Sequence, residues 1–312
     1  MCAGKPASIV ARPEEVLLTM GAQNALWMVA ELLLTPERTA VVENPAYPGL
    51  RVLLDQRVCG RAFVDVDADG LPPDLIPTGA DLVFTTPSHQ CPTGVTMPLQ
   101  RREALLRLAD EGDFVVIEDD FESENRFDGE PIPALKSLDR NDRVVYIGSL
   151  SKSWAPGLRL GYVVAPAELI AELRALRRLM LRHPSAFIQR TFALFLSLGH
   201  HDAQLRRIAI AQRERCDVAV EAMARHAPQC TVVPVTGGGS CWIRLPEGVS
   251  AVELASRAAA QGVLIEPGDV FFHDASPPGG YIRLGYQSIP AKAIEAGIRI
   301  LAGVIAELQR GR

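Results

Sequence analysis

Lys152 stands in the stretch GSLSKSWAPGLRLGY, residues 148–162, between two serines and just ahead of a Pro-Gly turn and an apolar strand. A lysine in such a place is either a solvated surface charge or an amine held in a pocket. Desolvation beside other cations lowers a lysine's pKa, and the neutral amine can then attack a carbonyl. Ser149, Ser151 and Arg159 add hydroxyl donors and a fixed positive charge, which suit a phosphate. Taken alone, Arg159 fits a surface ion pair better.

Two further stretches offer complementary chemistry. TMGAQNAL, residues 19–26, reads as a strand end, a glycine turn and a helix start. The first backbone N–H groups of a helix are unpaired and carry the positive end of its dipole, so this turn is either an anion cradle or an ordinary tight turn. FVVIEDDF, residues 114–121, ends a buried strand with three acids. Side chains alternate along a strand, so Glu118 and Asp120 face one way and Asp119 the other. A buried carboxylate needs a partner or it takes up a proton. A pyridinium nitrogen would serve; a helix cap or a surface position is the plain alternative. An amine nucleophile, a phosphate cradle and a carboxylate together describe a site for an aldehyde-bearing pyridine phosphate.

These residues need a scaffold that brings them to one place. From 16 to 165 the chain alternates strand-like and helix-like stretches. EVLLTMG, TAVVENPAYPG, RAFVDVDADGLPP, ADLVFTTPS, FVVIEDD, RVVYIGSLSK and LGYVVAP read as strands closed by turn residues. AQNALWMVAELLL reads as a buried helix, and LQRREALLRLADEG as a helix with Leu105, Leu106 and Leu108 inward and a glycine stop. This alternation predicts a mainly parallel sheet covered by helices, and such sheets bind ligands at the carboxyl ends of their strands. The polar punctuation falls at those ends: 21–23, 44–47, 87–94, 119–120 and 149–152.

After Pro166 a long amphipathic helix, AELIAELRALRRLMLR, precedes a second, HDAQLRRIAIAQRERCDVAVEAMARH. Strand-like CTVVPVTGGGSCWIRLP, VLIEPGDVFF and YIRLGYQS follow, with a final helix near 290–309. The expected division is a large domain over 1–165, a connecting helix over 166–199 and a small domain over 200–312.

The bulk properties narrow the function classes. A net charge of −5 over 312 residues gives no global attraction to nucleic acid. Six cysteines without a C-x-x-C pair predict free thiols in a reducing cytoplasm and no metal site. No apolar run reaches membrane-spanning length.

SLSKSWAPGLRLGY resembles the Schiff-base lysine segment of fold-type I pyridoxal-phosphate enzymes. GAQNAL, ENPAYPG, TPSHQCPTGVTM and IEDDFESENRFDG follow the order and spacing of the aminotransferase-like domain of MocR/GabR-type regulators of the GntR family, over roughly residues 14–290. The resemblance implies an α/β fold-type I transferase: a mainly parallel sheet flanked by helices, plus a smaller C-terminal α+β domain. It implies pyridoxal 5'-phosphate joined to Lys152 as an aldimine, with Asp119 on the pyridinium nitrogen. Gly21, Ala22, Gln23, Ser149, Ser151 and Arg159 would surround the phosphate, and Tyr47 would stack on the ring. Arg283 in YIRLGY would grip a substrate carboxylate, against a strand-edge ion pair as the alternative. His89 and Gln90 would line the mouth or simply pack their loop. A homodimer is implied as well.

Three departures stand out. Phe121 replaces a tyrosine whose hydroxyl reaches the cofactor's phenolic oxygen, and Cys91 replaces the asparagine of NPTG in ordinary class I aminotransferases. Two donors are lost, and a thiol is a poor substitute. The cofactor is expected to bind with a less well-tuned aldimine. The family's N-terminal winged helix-turn-helix is not expected within this chain, which begins about a dozen residues before VLLTMG; a shortened regulator is one expectation. Three functions stay open: a transaminase of an amino acid, an effector sensor with little turnover, and a relative that only folds.

Overall fold

The computed structural model describes residues 9–57, 59–122, 126–127, 132–150, 156–273 and 280–310. Its first part comprises β1 (Val16–Thr19), α1 (Ala22–Leu33), β2 (Thr39–Asn44), α2 (Pro48–Asp55), β3 (Gly60–Asp65), β4 (Leu82–Thr85), α3 (Leu99–Gly112), β5 (Val115–Asp120), α4 (Leu135–Leu138), β6 (Val144–Ser149) and β7 (Gly161–Val164). These strands form a seven-stranded sheet in the order β1-β7-β6-β5-β4-β2-β3. The run from β6 to β3 is parallel. β7 is antiparallel to both its neighbours, which leaves β1 pointing the same way as the parallel run. The carboxyl ends of β1, β2, β4, β5 and β6 therefore share one edge.

Alternation along the strands explains their near-continuous apolar runs. Val42, Phe84 and Ile117 enter one buried cluster, with α1 and α5 (Ala167–Leu181) over it. Val41, Val83 and Val116 enter another, with Leu105 and Ala109 of α3. Both faces are covered, as a parallel sheet requires.

After α5 come α6 (Ala186–Ser197), α7 (His200–His226), β8 (Thr231–Val232), β9 (Ser240–Arg244), α8 (Ala251–Ala260), β10 (Glu266–Pro267), β11 (Tyr281–Gly285) and α9 (Ala291–Arg310). The last four strands form an antiparallel sheet in the order β10-β11-β9-β8. α7, α8 and α9 cover it through Cys216, Met223, Leu254, Ile298 and Leu301. Among the described residues no helix is long and apolar enough to cross a membrane. Cys59, Cys91, Cys216, Cys230 and Cys241 are free thiols.

Four local expectations change. The single connecting helix over 166–199 is two helices: α5 stops at Leu181, Arg182 takes a positive φ of 63°, and Pro184 cannot donate to a continuing helix. On α3, Leu105 is inward but Leu106 and Leu108 are only half-buried. The fully buried companions of Leu105 on that helix are Ala109 and Arg102. α3 runs through Gly112, and Asp113, with a φ of 54°, makes its left-handed end. VLIEPGDVFF holds only the two-residue β10, because the chain turns into a short helical turn at Gly268–Phe271.

Candidate active site

The site grows from the shared strand edge. Gly161, first residue of β7, sits opposite Thr19 of β1 and opposite Ser149 of β6. The three segments meet there without room for a side chain. A Cβ at Gly161 would lie 2.8 Å from the carbonyl carbon of Gly21 and 2.9 Å from the oxygen of Gly148. Both are backbone atoms and cannot swing aside. Gly161→Ala is therefore expected to destabilise the protein by about 1–3 kcal/mol. Gly157→Ala, where no heavy atom lies within 4 Å, should be nearly neutral when both variants are unfolded in urea.

Gly21 has a φ of 85° and is the N-cap of α1, so Ala22 and Gln23 open the helix with unpaired N–H groups facing the strand edge. The Arg159 guanidinium packs against Gly21, where a Cβ would meet its Nη2 at 2.7 Å. Arg159 itself has a φ of 49° and donates to the Met20 carbonyl at 3.4 Å. Gln23 Oε1 is buried without a hydrogen-bond partner. A helix start, a guanidinium and Ser149 are thus gathered at one strand edge, an arrangement suited to a phosphate. Ser151 and Lys152 lie outside the described residues.

The acids of β5 divide as alternation predicts. Glu118 accepts from the backbone N–H groups of Leu135 and Lys136 at 2.8 and 2.9 Å, and Asp120 accepts from the Tyr146 hydroxyl at 2.8 Å. Arg102 lies on the same side, 3.9 Å from Glu118. Asp119 faces away into a small cavity bounded by Tyr47, Glu43, Ala46, Thr86 and Leu26. Its Oδ1 is buried and makes no hydrogen bond. Burial, helped by the charges of Asp120 and Glu43, lifts this carboxyl to about 7. An enclosed carboxylate lacking a donor fits a ring N–H in the cavity. Tyr47 lies over Gly49, bordering that cavity, and burial raises its hydroxyl pKa. The orphaned Asp119 oxygen and the anion cradle both match pyridoxal phosphate.

Glu43 was not singled out from the sequence, yet it organises the mouth. Its buried carboxylate accepts from the Thr85 hydroxyl (2.6 Å), the Thr86 hydroxyl (2.8 Å) and the Gln90 side chain (3.1 Å). Gln90 also donates to the carbonyls of Pro45 and Cys91, at 2.8 and 2.9 Å. Gln90 is thus a loop-packing residue. His89 is buried with its Nε2 3.6 Å from Glu122, edge-on to Phe121. Phe121 and Cys91 join an apolar cluster with Trp242, Phe271 and Phe272. Burial pushes the Cys91 thiol to about 12, so it stays neutral.

Arg283 comes from the second sheet. Its Nη1 donates to Glu266 at 2.6 Å across the β10–β11 pair. The ion pair foreseen as its plain alternative is present. A roomier cavity, bounded by Phe127, Arg213, Cys216 and Val235, shares no lining residue with the site.

Similarity to known proteins agrees with this geometry. The chain is 50% identical over 294 residues to the HTH-type transcriptional regulator TauR of Rhodobacter capsulatus, covering 94% of this chain and 61% of the regulator. It is 33% identical to the probable rhizopine catabolism regulatory protein MocR of Rhizobium meliloti, covering 95% and 60%. The chain thus spans about three fifths of the regulators' length. Among solved structures, the α-aminoadipate aminotransferase LysN of Thermus thermophilus, complexed with N-(5'-phosphopyridoxyl)-L-leucine, superposes with a TM-score of 0.90. Identity there is 30%, over 96% of this chain and 79% of that one. The fold is that of the pyridoxal-phosphate aminotransferases, and pyridoxal phosphate is the cofactor indicated. With residues 4–300 matching its pattern, the chain belongs to the aminotransferase class I and II family.

Proposed function

We propose that this chain binds pyridoxal phosphate and transaminates an amino acid, passing the substrate's amino group to the cofactor and releasing a keto acid. The observation that carries this reading is the buried, unpartnered Asp119 oxygen beside Tyr47, at the strand edge that also holds Gly21 and Arg159. When bound, the cofactor supplies an electron sink for the bond-breaking at Cα. Around it, Asp119 holds the ring nitrogen's proton, Tyr47 covers a ring face, and Gly21, Ala22, Gln23, Ser149, Ser151 and Arg159 bind the phosphate. Lys152 would hold the cofactor's aldehyde end and, as a free amine, would move a proton at the substrate Cα. Arg283 binds the substrate carboxylate.

The same reading takes the expected division, with its large part over 1–165, its connector over 166–199 and its small part over 200–312. It is supported by the two separate sheets. A homodimer and a cytoplasmic location belong to it too.

A second reading is an effector sensor in which exchange occurs without repeated turnover. The 50% identity to TauR favours it. Incubation with pyridoxal phosphate is expected to give a visible absorbance band that Lys152→Ala abolishes; a band surviving in the variant would sink both readings. Keto acid formed over many turnovers supports the transaminase, and a spectral change that stops after one half-reaction supports the sensor.

A further inference from the structure

We propose that Glu266 is an internal rival for the Arg283 guanidinium, and that it sets how strongly the site selects for an acid group on its ligand. This rests on the reading above that Arg283 receives that acid. The two residues face each other across the β10–β11 pair, directly opposed in register. Directly opposed side chains on antiparallel strands lie close enough to interact. Here Arg283 Nη1 reaches Glu266 Oε2 at 2.6 Å.

The placement is held by the backbone. Pro267 restricts the chain after Glu266. Gly268 then presses against β11 so closely that a Cβ would lie 2.6 Å from both the Tyr281 Cβ and its carbonyl oxygen. On the other side of β11, Arg283 is opposite Trp242, which stacks on Tyr281 with ring centroids 5.1 Å apart. The neutral Cys91 thiol offers Arg283 no countercharge. Glu122 is the other acid whose charge acts on it.

Two consequences follow from this ion pair. A ligand carboxylate must share or displace one already in place, so its gain is only the difference between two similar pairs. A ligand without an acid group leaves the guanidinium still neutralised, which avoids the penalty of a partly buried unpaired charge. The Glu266 side chain is 55% exposed and can turn toward water when displaced. The site as built therefore discriminates weakly between a carboxylic acid and its uncharged analogue, and accepts amines with and without an acid group.

The test uses the full chain loaded with pyridoxal phosphate and two unreactive probes, 3-phenylpropionate and 3-phenylpropanamide, titrated by calorimetry. Glu266→Gln keeps the shape and removes the charge. It is expected to raise the acid-to-amide affinity ratio about three- to fivefold, the scale of a half-exposed ion pair. Adding Arg283→Gln should erase the gain, and retention of the cofactor's visible band shows that each variant is folded. If Glu266→Gln leaves the ratio unchanged while Arg283→Gln alone weakens acid binding, the role of Glu266 is wrong and that of Arg283 stands. If Arg283→Gln leaves acid binding unchanged, the substrate role of Arg283 is wrong, and the rivalry falls with it.

Discussion

Asp119→Asn is expected to weaken pyridoxal phosphate binding by about a hundredfold or more while making the cofactor-free protein more stable at pH 8. The two effects share one cause. In the fold the Asp119 carboxyl is raised from 3.8 to about 7, chiefly by burial. Between these values the folded state holds a proton that the unfolded chain has released. Stability therefore declines as pH rises through this window, and the full penalty applies above about 7. Its ceiling is about 4 kcal/mol at about 1.4 kcal/mol per pH unit. Asparagine never ionises and escapes it, so the variant's advantage should appear in urea unfolding at pH 8 and vanish near pH 4.

On the proposed placement of the ring nitrogen, loading is expected to reverse the preference, because a ring N–H favours the carboxylate. A charge-assisted hydrogen bond in an enclosed site is lost with the substitution, and about 2.7 kcal/mol of loss already corresponds to a hundredfold. Equal cofactor affinity in wild type and variant would contradict the placement of the ring nitrogen. An apo-protein destabilised at pH 8 would contradict the electrostatic account.

Arg102→Ala is expected to cost about 3–5 kcal/mol of stability, the range for removing one partner of a buried charge cluster. Arg102 is fully buried and donates to the carbonyls of Met97, Pro133 and Pro87 at 3.0, 2.9 and 2.8 Å. The substitution orphans three carbonyls and removes the cation facing Glu118. Glu118 is already raised by burial and by Asp120, and Arg102 opposes that rise. Without it the folded-state pKa of Glu118 climbs further, so the deficit should be larger at pH 8 than at pH 5. Urea titrations at both values measure it. Arg102→Lys should recover part of the pH-dependent component, since the charge returns, but not the three-carbonyl geometry. A variant with the same deficit at both pH values would show that only the carbonyl contacts matter. Because Pro87 opens the loop carrying His89 to Cys91, the variant should also bind cofactor less tightly.

What the sequence determined by itself is local. Alternation along FVVIEDD separates Asp119 from Glu118 and Asp120, because side chains on a strand take opposite faces wherever the strand lies. The Gly21 turn ahead of an apolar helix marks a helix start, and unpaired N–H groups belong to any helix start. β-α alternation implies a parallel sheet with its polar residues at one edge.

Only the tertiary structure decided the pairings that cross the chain. Glu43 receives donors from Thr85, Thr86 and Gln90, which are 42 to 47 residues away, through the β2–β4 pairing. In the sequence it is one more acid after an apolar run. Arg102 reads as an ordinary charge on an amphipathic helix, and its burial depends on where α3 crosses the sheet. For Arg283 the sequence leaves a substrate contact and an ion pair both open, and the register of β10 against β11 sets Glu266 beside it. Strand order and register come from the packing of the whole core, and no local spacing in the chain encodes them.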